Sequence, residues 1–244
     1  MKTKHLFIIA GIFSASIASA AKNVSFATDT FKTRNNKEVI ITFIKHGSLM
    51  LEYNNQYIQV DPVSTFADYA TFPKASIILI THEHSDHLDA KAIETLTKKN
   101  TLLITTNAVK KILNKGDAME NGSTKKVSDK ISIEAIPAYN TTPGREKFHP
   151  RNSGNGYVLT IDGMRIYISG DTEDIPEMKN LKNIDIAFLA VNQPYTMTVP
   201  QVSNAAKMIM PKVLYPYHYG DTDILQLKEA LKNTAIDVRI REMK

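Results

Sequence analysis

The chain has 244 residues, a formal charge of +5 at pH 7, and no cysteine. Without cysteine it can hold no disulfide, no thiolate metal ligand, no cysteine nucleophile and no lipid on a cysteine. Adjacent basic residues occur only as isolated pairs, Lys98-Lys99, Lys110-Lys111 and Lys125-Lys126, with no interleaved aromatics and no run of five like charges, so no nucleic-acid partner is expected.

Residues 1–20 read as a secretory signal. Lys2 and Lys4 precede an apolar stretch from Leu6 to Ala18, and Ala18-Ser19-Ala20 offers the small residues a signal peptidase accepts, with cleavage before Ala21. The stretch is short for a bilayer span and is interrupted by Ser14, Ser16 and Ser19, so no stable membrane anchor is expected. For a bacterial source this places the mature protein in the periplasm or outside the cell. Without Lys2 and Lys4 the charge falls to about +3, and about 220 residues remain, enough for one sizeable core. Residues 21–37 read as a polar, weakly structured lead-in, and a single domain is expected over 38–244.

Short apolar strands then alternate with helical stretches. Strands are predicted at Val39 to Lys45, Leu49 to Tyr53, Tyr57 to Val60, Ser76 to Ile80, Leu102 to Thr105 and Ile131 to Ala138. They continue at Gly156 to Ile161, Arg165 to Ser169, Asp185 to Ala190, Val213 to Tyr215 and Ile236 to Ile240. Helices are predicted at Ala90 to Lys98, Ala108 to Asn114, Val202 to Met210 and Asp223 to Lys232. The order predicts an α/β fold with sheets packed together and helices outside. Residues 141–156, with Pro143, Gly144, Pro150, Gly154 and Gly156, form a long loop of the kind that often carries function. Gly154-Asn155-Gly156 leads into a strand rather than a helix and is not a phosphate loop.

Directly after the run Ser76 to Ile80 the chain reads Thr81-His82-Glu83-His84-Ser85-Asp86-His87-Leu88-Asp89. Two residues apart where a strand breaks into a loop, His82 and His84 can bind one ion, while Asp86 and His87 turn toward a second. Three other residues stand at strand ends, where layered α/β folds gather their ligands: Asp61 before Pro62, Asp171 in Ser169-Gly170-Asp171-Thr172, and His218 in Tyr215-Pro216-Tyr217-His218-Tyr219. Each alone reads as a turn or packing residue. Together with the histidine string they read as one metal site.

These residues resemble the metallo-β-lactamase fold of metal-dependent hydrolases, and the likeness covers the chain from about Val39 to Lys244. The resemblance implies a four-layer αββα sandwich with metals in a groove at its edge. It implies that His82 and His84 bind the first metal, Asp86, His87 and His218 the second, that Asp171 bridges both, and that Asp61 supports a ligand from behind. The aspartate at the bridging position, in place of the cysteine of many true β-lactamases, resembles the broad hydrolase branches. Lys45-His46-Gly47-Ser48 followed by Asp61-Pro62 resembles the L-ascorbate 6-phosphate lactonase branch, which implies His46 as a substrate contact or a buried histidine bonded to backbone.

The chain departs from the family at one point. The family's remaining first-metal histidine follows the strand matching Ile131 to Ala138, where this chain has Tyr139-Asn140-Thr141-Thr142 and no histidine before His149. Either Asn140 takes the position with a weak oxygen ligand, or His149 folds back from the loop, as ligand or substrate contact. If neither does, a mononuclear site on Asp86, His87, Asp171 and His218 remains.

The expected activity is hydrolysis of an ester, lactone or phosphodiester in a small-molecule substrate by metal-bound hydroxide, with Asp86 orienting or deprotonating the water. One or two Zn2+ ions are the expected cofactor, and imidazole and carboxylate ligands without thiolate also suit Mn2+ or Fe. The alternative is a non-hydrolytic metal-binding module on the same fold, with a redox role as a third reading. Tyr195, Tyr217 and Tyr219 near strand ends, and Arg145, Lys147 and Arg151 on the long loop, are candidates to line the pocket or hold an anion, or else ordinary packing and solvated groups.

Overall fold

The computed structural model describes residues 25–244, so the secretory signal expected over 1–20 lies outside the described residues. The alternating apolar runs build two seven-stranded sheets. The first contains, in spatial order, β1 (Ala27–Lys32), β2 (Glu38–Lys45), β3 (Ser48–Tyr53), β4 (Gln56–Val60), β5 (Ile77–Leu79), β6 (Leu102–Thr105) and β7 (Asp117–Ala118). The second contains β8 (Thr124–Lys126), β9 (Ile131–Ala138), β10 (Gly154–Ile161), β11 (Met164–Ile168), β12 (Ile186–Ala190), β13 (Val213–Tyr217) and β14 (Asp237–Val238). The two share one plan. Four strands pair antiparallel, joined by short turns except for the long β9–β10 loop, and from the fourth strand onward the pairing is parallel.

Period-two burial sets the layers. Val39, Ile41 and Phe43 of β2, Leu49 and Leu51 of β3, Ile131, Ile133 and Ala135 of β9, and Tyr157, Leu159 and Ile161 of β10 meet in one core between the sheets. All three residues of β5 are buried, because its other face is also covered. There Ile78 and Ile80 pack on Ala92, Ile93 and Leu96 of α1 (Ala90–Leu96) and on Val109 of α2 (Asn107–Leu113). On the second sheet, α3 (Val199–Ile209) and α4 (Gln226–Leu231) bury Val202, Ala205, Ala206, Leu227 and Leu231. The result is the expected αββα sandwich. No helix among the described residues is long and apolar enough to cross a membrane.

Caps at the helix starts fix the loops that matter. Asp89, which ends the histidine string, accepts from Lys91 N and Ala92 N at the start of α1 and from Ser64 N at 2.7 Å. Such a cap contributes about 1 kcal/mol and here also sets the exit of the metal motif. Thr198 and Gln201 form a reciprocal capping box on α3, which closes with Met210 in the left-handed region.

The expectation of a weakly structured stretch over 21–37 is corrected within the described residues: Ala27–Lys32 is β1, paired to β2 over six residues. Its side chains are mostly polar, so no apolar alternation marks it. What holds it is the backbone ladder, Phe31 packed on the core, and Asp29, which accepts from Arg241 at 2.7 Å and from the Tyr215 hydroxyl. The short strands β7 and β8 carry no apolar signature either. β1 thus belongs to the first sheet of the domain expected over 38–244.

Candidate metal centre

Every element that delivers a site residue does so at one edge of the sandwich. From the first sheet come His46 after β2, Asp61 after β4, and His82, His84, Asp86 and His87 after β5. From the second come His149 on the β9–β10 loop, Asp171 after β11 and His218 after β13. Most of these positions are the carboxyl ends of parallel strands, where open α/β sheets form their crevices. The two sheets are joined at this edge by His218 N, which donates to His46 O at 3.2 Å. His46, Asp61 and His218 all have positive φ, at 55°, 43° and 54°. For non-glycine residues this strain is uncommon and concentrates at functional sites.

The side chains fall into three overlapping groups whose nitrogen or carboxylate atoms lie within 4.8 Å of one another: His82, His84 and His149; His46, Asp86, His87 and His218; and His82, His87 and Asp171. Asp171 stands between the sets, 3.3 Å from His149 Nε2, 3.3 Å from His218 Nε2 and 3.5 Å from His87 Nε2. Asp86 Oδ2 is 3.0 Å from His46 Nε2 and 3.5 Å from His218 Nε2.

Hydrogen bonds behind the rings assign their tautomers. His87 Nδ1 donates to Asp61 Oδ2 at 2.8 Å, which leaves Nε2 facing the cluster. Asp61 also accepts from Thr81 N at 2.8 Å and Thr81 Oγ1 at 2.6 Å. Having donated to Asp61, the Thr81 hydroxyl can accept from His82 Nδ1 at 3.0 Å. His149 Nδ1 donates to Tyr195 O at 3.0 Å. Gly47 permits the approach from the front, because a Cβ there would lie 2.8 Å from His87 Cε1.

The electrostatics fit a cation. His82 Nε2, His87 Nε2, His149 Nε2, both His218 nitrogens and Asp171 Oδ1 are buried with no hydrogen-bond partner. Native proteins leave few such atoms, and each costs about 1–3 kcal/mol unless something satisfies it. Burial holds His82 well below the usual histidine range, with His87 adding to the effect, and burial likewise lowers His84 and His46. Burial should raise Asp171, but His218 and His87 outweigh it and hold the carboxyl well below its usual range. Asp86 is lowered in the same way, His218 and His46 overcoming its burial. Burial disfavours charge on His87, yet Asp171 and Asp61 draw a proton onto it, raising it well above the usual value. Ionised carboxylates and neutral imidazoles are the metal-binding forms, and a buried imidazole pulled toward positive charge marks a pocket that accepts a cation.

Of the two candidates for the family's missing histidine, His149 joins the His82 and His84 group. Asn140 holds the loop instead. Its Nδ2 donates to Tyr195 O at 2.7 Å and Arg145 O at 3.2 Å, and its backbone N donates to His149 O at 2.9 Å. His46 enters the Asp86 group itself, with its ring 3.6 Å from that of His218. Two of the three loop cations are already paired: Arg145 with Glu173 at 3.5 Å, and Arg151 with Glu177 at 2.7 Å. Tyr217 is fully buried against Phe188, and the Tyr219 hydroxyl donates to Arg241 O. These are packing roles. Tyr195 contributes its carbonyl, a role no side-chain motif could announce.

Comparison with known proteins agrees with this geometry. The family model described as "Beta-lactamase superfamily domain" matches residues 40–218. A UPF0173 metal-dependent hydrolase from Ligilactobacillus salivarius is 32% identical over 192 residues, covering 74% of this chain and 84% of the relative. The crystal structure of a candidate metal-dependent hydrolase from Parabacteroides distasonis is 64% identical, with a TM-score of 0.89, covering 90% of this chain and 100% of that one. A metallo hydrolase from Ignicoccus hospitalis shares the fold at a TM-score of 0.72 and 23% identity over 84% of this chain and 95% of its own. With the αββα sandwich and the histidine and aspartate groups at its edge, the chain belongs to the β-lactamase superfamily and, within it, to the metal-dependent hydrolases.

Proposed function

We propose that this edge holds two divalent ions, one at His82, His84 and His149 and one at Asp86, His87 and His218 with Asp171 between them, and that the chain hydrolyses a small ester, lactone or phosphodiester. The observation that carries the reading is the convergence of buried, unpartnered imidazole nitrogens on Asp171. Ions in such a site bring the pKa of a bound water to about 7 and polarise the attacked carbonyl or phosphoryl oxygen. The protein's own part is then orientation and proton handling. His82, His87 and His149 present Nε2 because Thr81, Asp61 and Tyr195 O engage Nδ1. Asp86 has a side chain 43% exposed, whereas that of Asp171 is 3% exposed, so Asp86 is the carboxylate that meets solvent and substrate. Held by His46 Nε2, it takes the proton from the attacking water at Oδ.

Zn2+ is the first choice of metal, and the thiolate-free donor set also suits Mn2+ or Fe. Likeness to the L-ascorbate 6-phosphate lactonase branch supports a lactone as the first substrate to try. Export to the periplasm or beyond is part of the proposal and rests on the leader read over 1–20; amino-terminal sequencing of the mature protein tests it. Over the alternative of a non-hydrolytic metal-binding module, the grouping of His149 with His82 and His84 supports the hydrolytic reading, since it fills the place left without a histidine near Asn140. The test is metal content per chain with turnover of model esters, lactones and phosphodiesters. Loss of turnover in His84→Ala and Asp86→Ala supports hydrolysis, and turnover that survives both changes overturns it.

A further inference from the structure

Glu173 is a charged residue with no solvent exposure, and it belongs to none of the candidate metal groups. Two residues after Asp171, it faces the loop rather than the cluster. Its Oε2 accepts from Thr141 N at 2.8 Å, Thr142 N at 2.6 Å and Thr141 Oγ1 at 3.1 Å. Its Oε1 lies 3.5 Å from Arg145 Nη1. The adjoining backbone tightens the same join. Glu173 N donates to Tyr139 O at 3.0 Å, and the Thr172 hydroxyl donates to that carbonyl at 2.9 Å while accepting from Tyr139 N at 3.1 Å.

From this anchor the loop proceeds by linked turns to His149. Arg145 N donates to Thr142 O at 2.9 Å, Phe148 N donates to Arg145 O at 3.0 Å, and Asn140 N closes the loop on His149 O at 2.9 Å. No helix or strand lies between β9 and β10 to hold these residues. A buried carboxylate is costly unless fully engaged. Here Oε2 is engaged by loop donors that have no ladder of their own, while Oε1, without a hydrogen-bond partner, faces the Arg145 guanidinium at 3.5 Å.

We propose that Glu173 is the positioning residue for His149: its carboxylate fixes the start of the 141–149 loop and the Arg145 turn, so that His149 Nε2 is presented to His82 and His84. The inference rests on the reading of His149 as a metal ligand, and the segment that carries Asp171 thereby also sets the imidazole beside it. A glutamine at 173 would keep the volume and one acceptor but turn amide hydrogens toward either the loop donors or the Arg145 guanidinium.

The test is Zn2+ affinity of the full chain, by competition with a chromophoric chelator, for the native protein, Glu173→Gln, His149→Ala and the double variant. Each single change is expected to weaken one Zn2+ equivalent by about 10–100-fold. The double variant is expected to bind no more weakly than His149→Ala alone, because the glutamate acts through that imidazole. A Glu173→Gln affinity within twofold of native overturns the proposal, as does an effect that persists undiminished beside His149→Ala. If His149→Ala leaves both equivalents unchanged, the ligand assignment falls, and the proposal with it. Should Glu173→Gln fail to fold, Arg145→Ala carries the test. It removes the ion pair from a half-buried loop residue and is expected to weaken the same equivalent about threefold, an effect that vanishes in the His149→Ala background; no change overturns the proposal.

Discussion

Asp61 and His87 form a fully buried pair, with the carboxylate accepting the imidazole Nδ1–H at 2.8 Å from side chains 1% and 0% exposed. The same carboxylate takes the backbone and hydroxyl of Thr81, so one residue orients the strand end and a ring at once. Asp61→Ala is expected to lower affinity for one metal equivalent by about 10–100-fold. It also leaves a buried amide and imidazole unpaired, which costs on the order of 3 kcal/mol. Chelator competition and urea denaturation of the apo protein read the two effects separately.

Gly47→Ala is a steric probe of the same imidazole. The added Cβ meets His87 Cε1 at 2.8 Å and Nδ1 at 3.0 Å, and neither a ring held by Asp61 nor a tight turn can retreat cheaply. The expected outcome is a fold unchanged by circular dichroism, with turnover reduced tenfold or more. Turnover equal to native would show that the ring can move without consequence.

Metal removal should be visible as a loss of stability. A ligand present at 100 times its Kd stabilises the folded state by about 2.7 kcal/mol. For a chain of this length that corresponds to roughly 5–10 °C in Tm. Thermal unfolding with and without a strong chelator measures it, and Asp171→Asn should shrink the difference, since Asp171 touches both sets.

Away from the site, Asp162 gives a clean pH dependence. Lys130 at 2.9 Å, with Thr33 at 2.7 Å and Asn35 at 2.5 Å, lowers its pKa from an ordinary 3.8 to about 2. The folded value lies below the unfolded one, so the stabilisation is fully present above about pH 4 and is lost as the pH falls through about 2. The stability gap between native protein and Asp162→Asn, measured by urea titration, should therefore be constant from pH 7 to 5 and narrow below pH 4. A gap that widens there would contradict the assignment.

Much of this architecture is legible in the residues. Apolar alternation marks β2, β3, β9 and β10, and the string from Thr81 to Asp89 announces its role because ligands and helix cap are contiguous. Helix ends are less legible: α4 is only Gln226–Leu231 within the expected span from Asp223 to Lys232, because turns at Ile224 and Leu225 precede it. β1 carries no apolar signature because Ala27, Asp29 and Thr30 contribute backbone pairing rather than apolar surface. His149 is legible only as an alternative, since the eight loop residues 141–148 separate it from Asn140. One signal was available: of the seven histidines, the six among the described residues all fall in the metal groups. Two of those six, His46 and His149, stand outside the ligand set that the resemblance implies, and His149 joins His82 and His84.

The bond from His218 N to His46 O has a consequence for how the molecule comes to be active. It ties the thirteenth strand to the second across 172 positions of chain, and neither sheet alone gathers more than part of the donor set. On the proposed reading of the site, a chain that has formed only its first sheet holds His82, His84 and His87 without Asp171, His149 or His218. Capture of an ion in productive geometry therefore waits until both sheets have docked, a slow step for contacts so distant in sequence. On the proposed two-ion reading, metal uptake is expected late in folding, with a rate that follows the closure of the sandwich rather than the formation of either half.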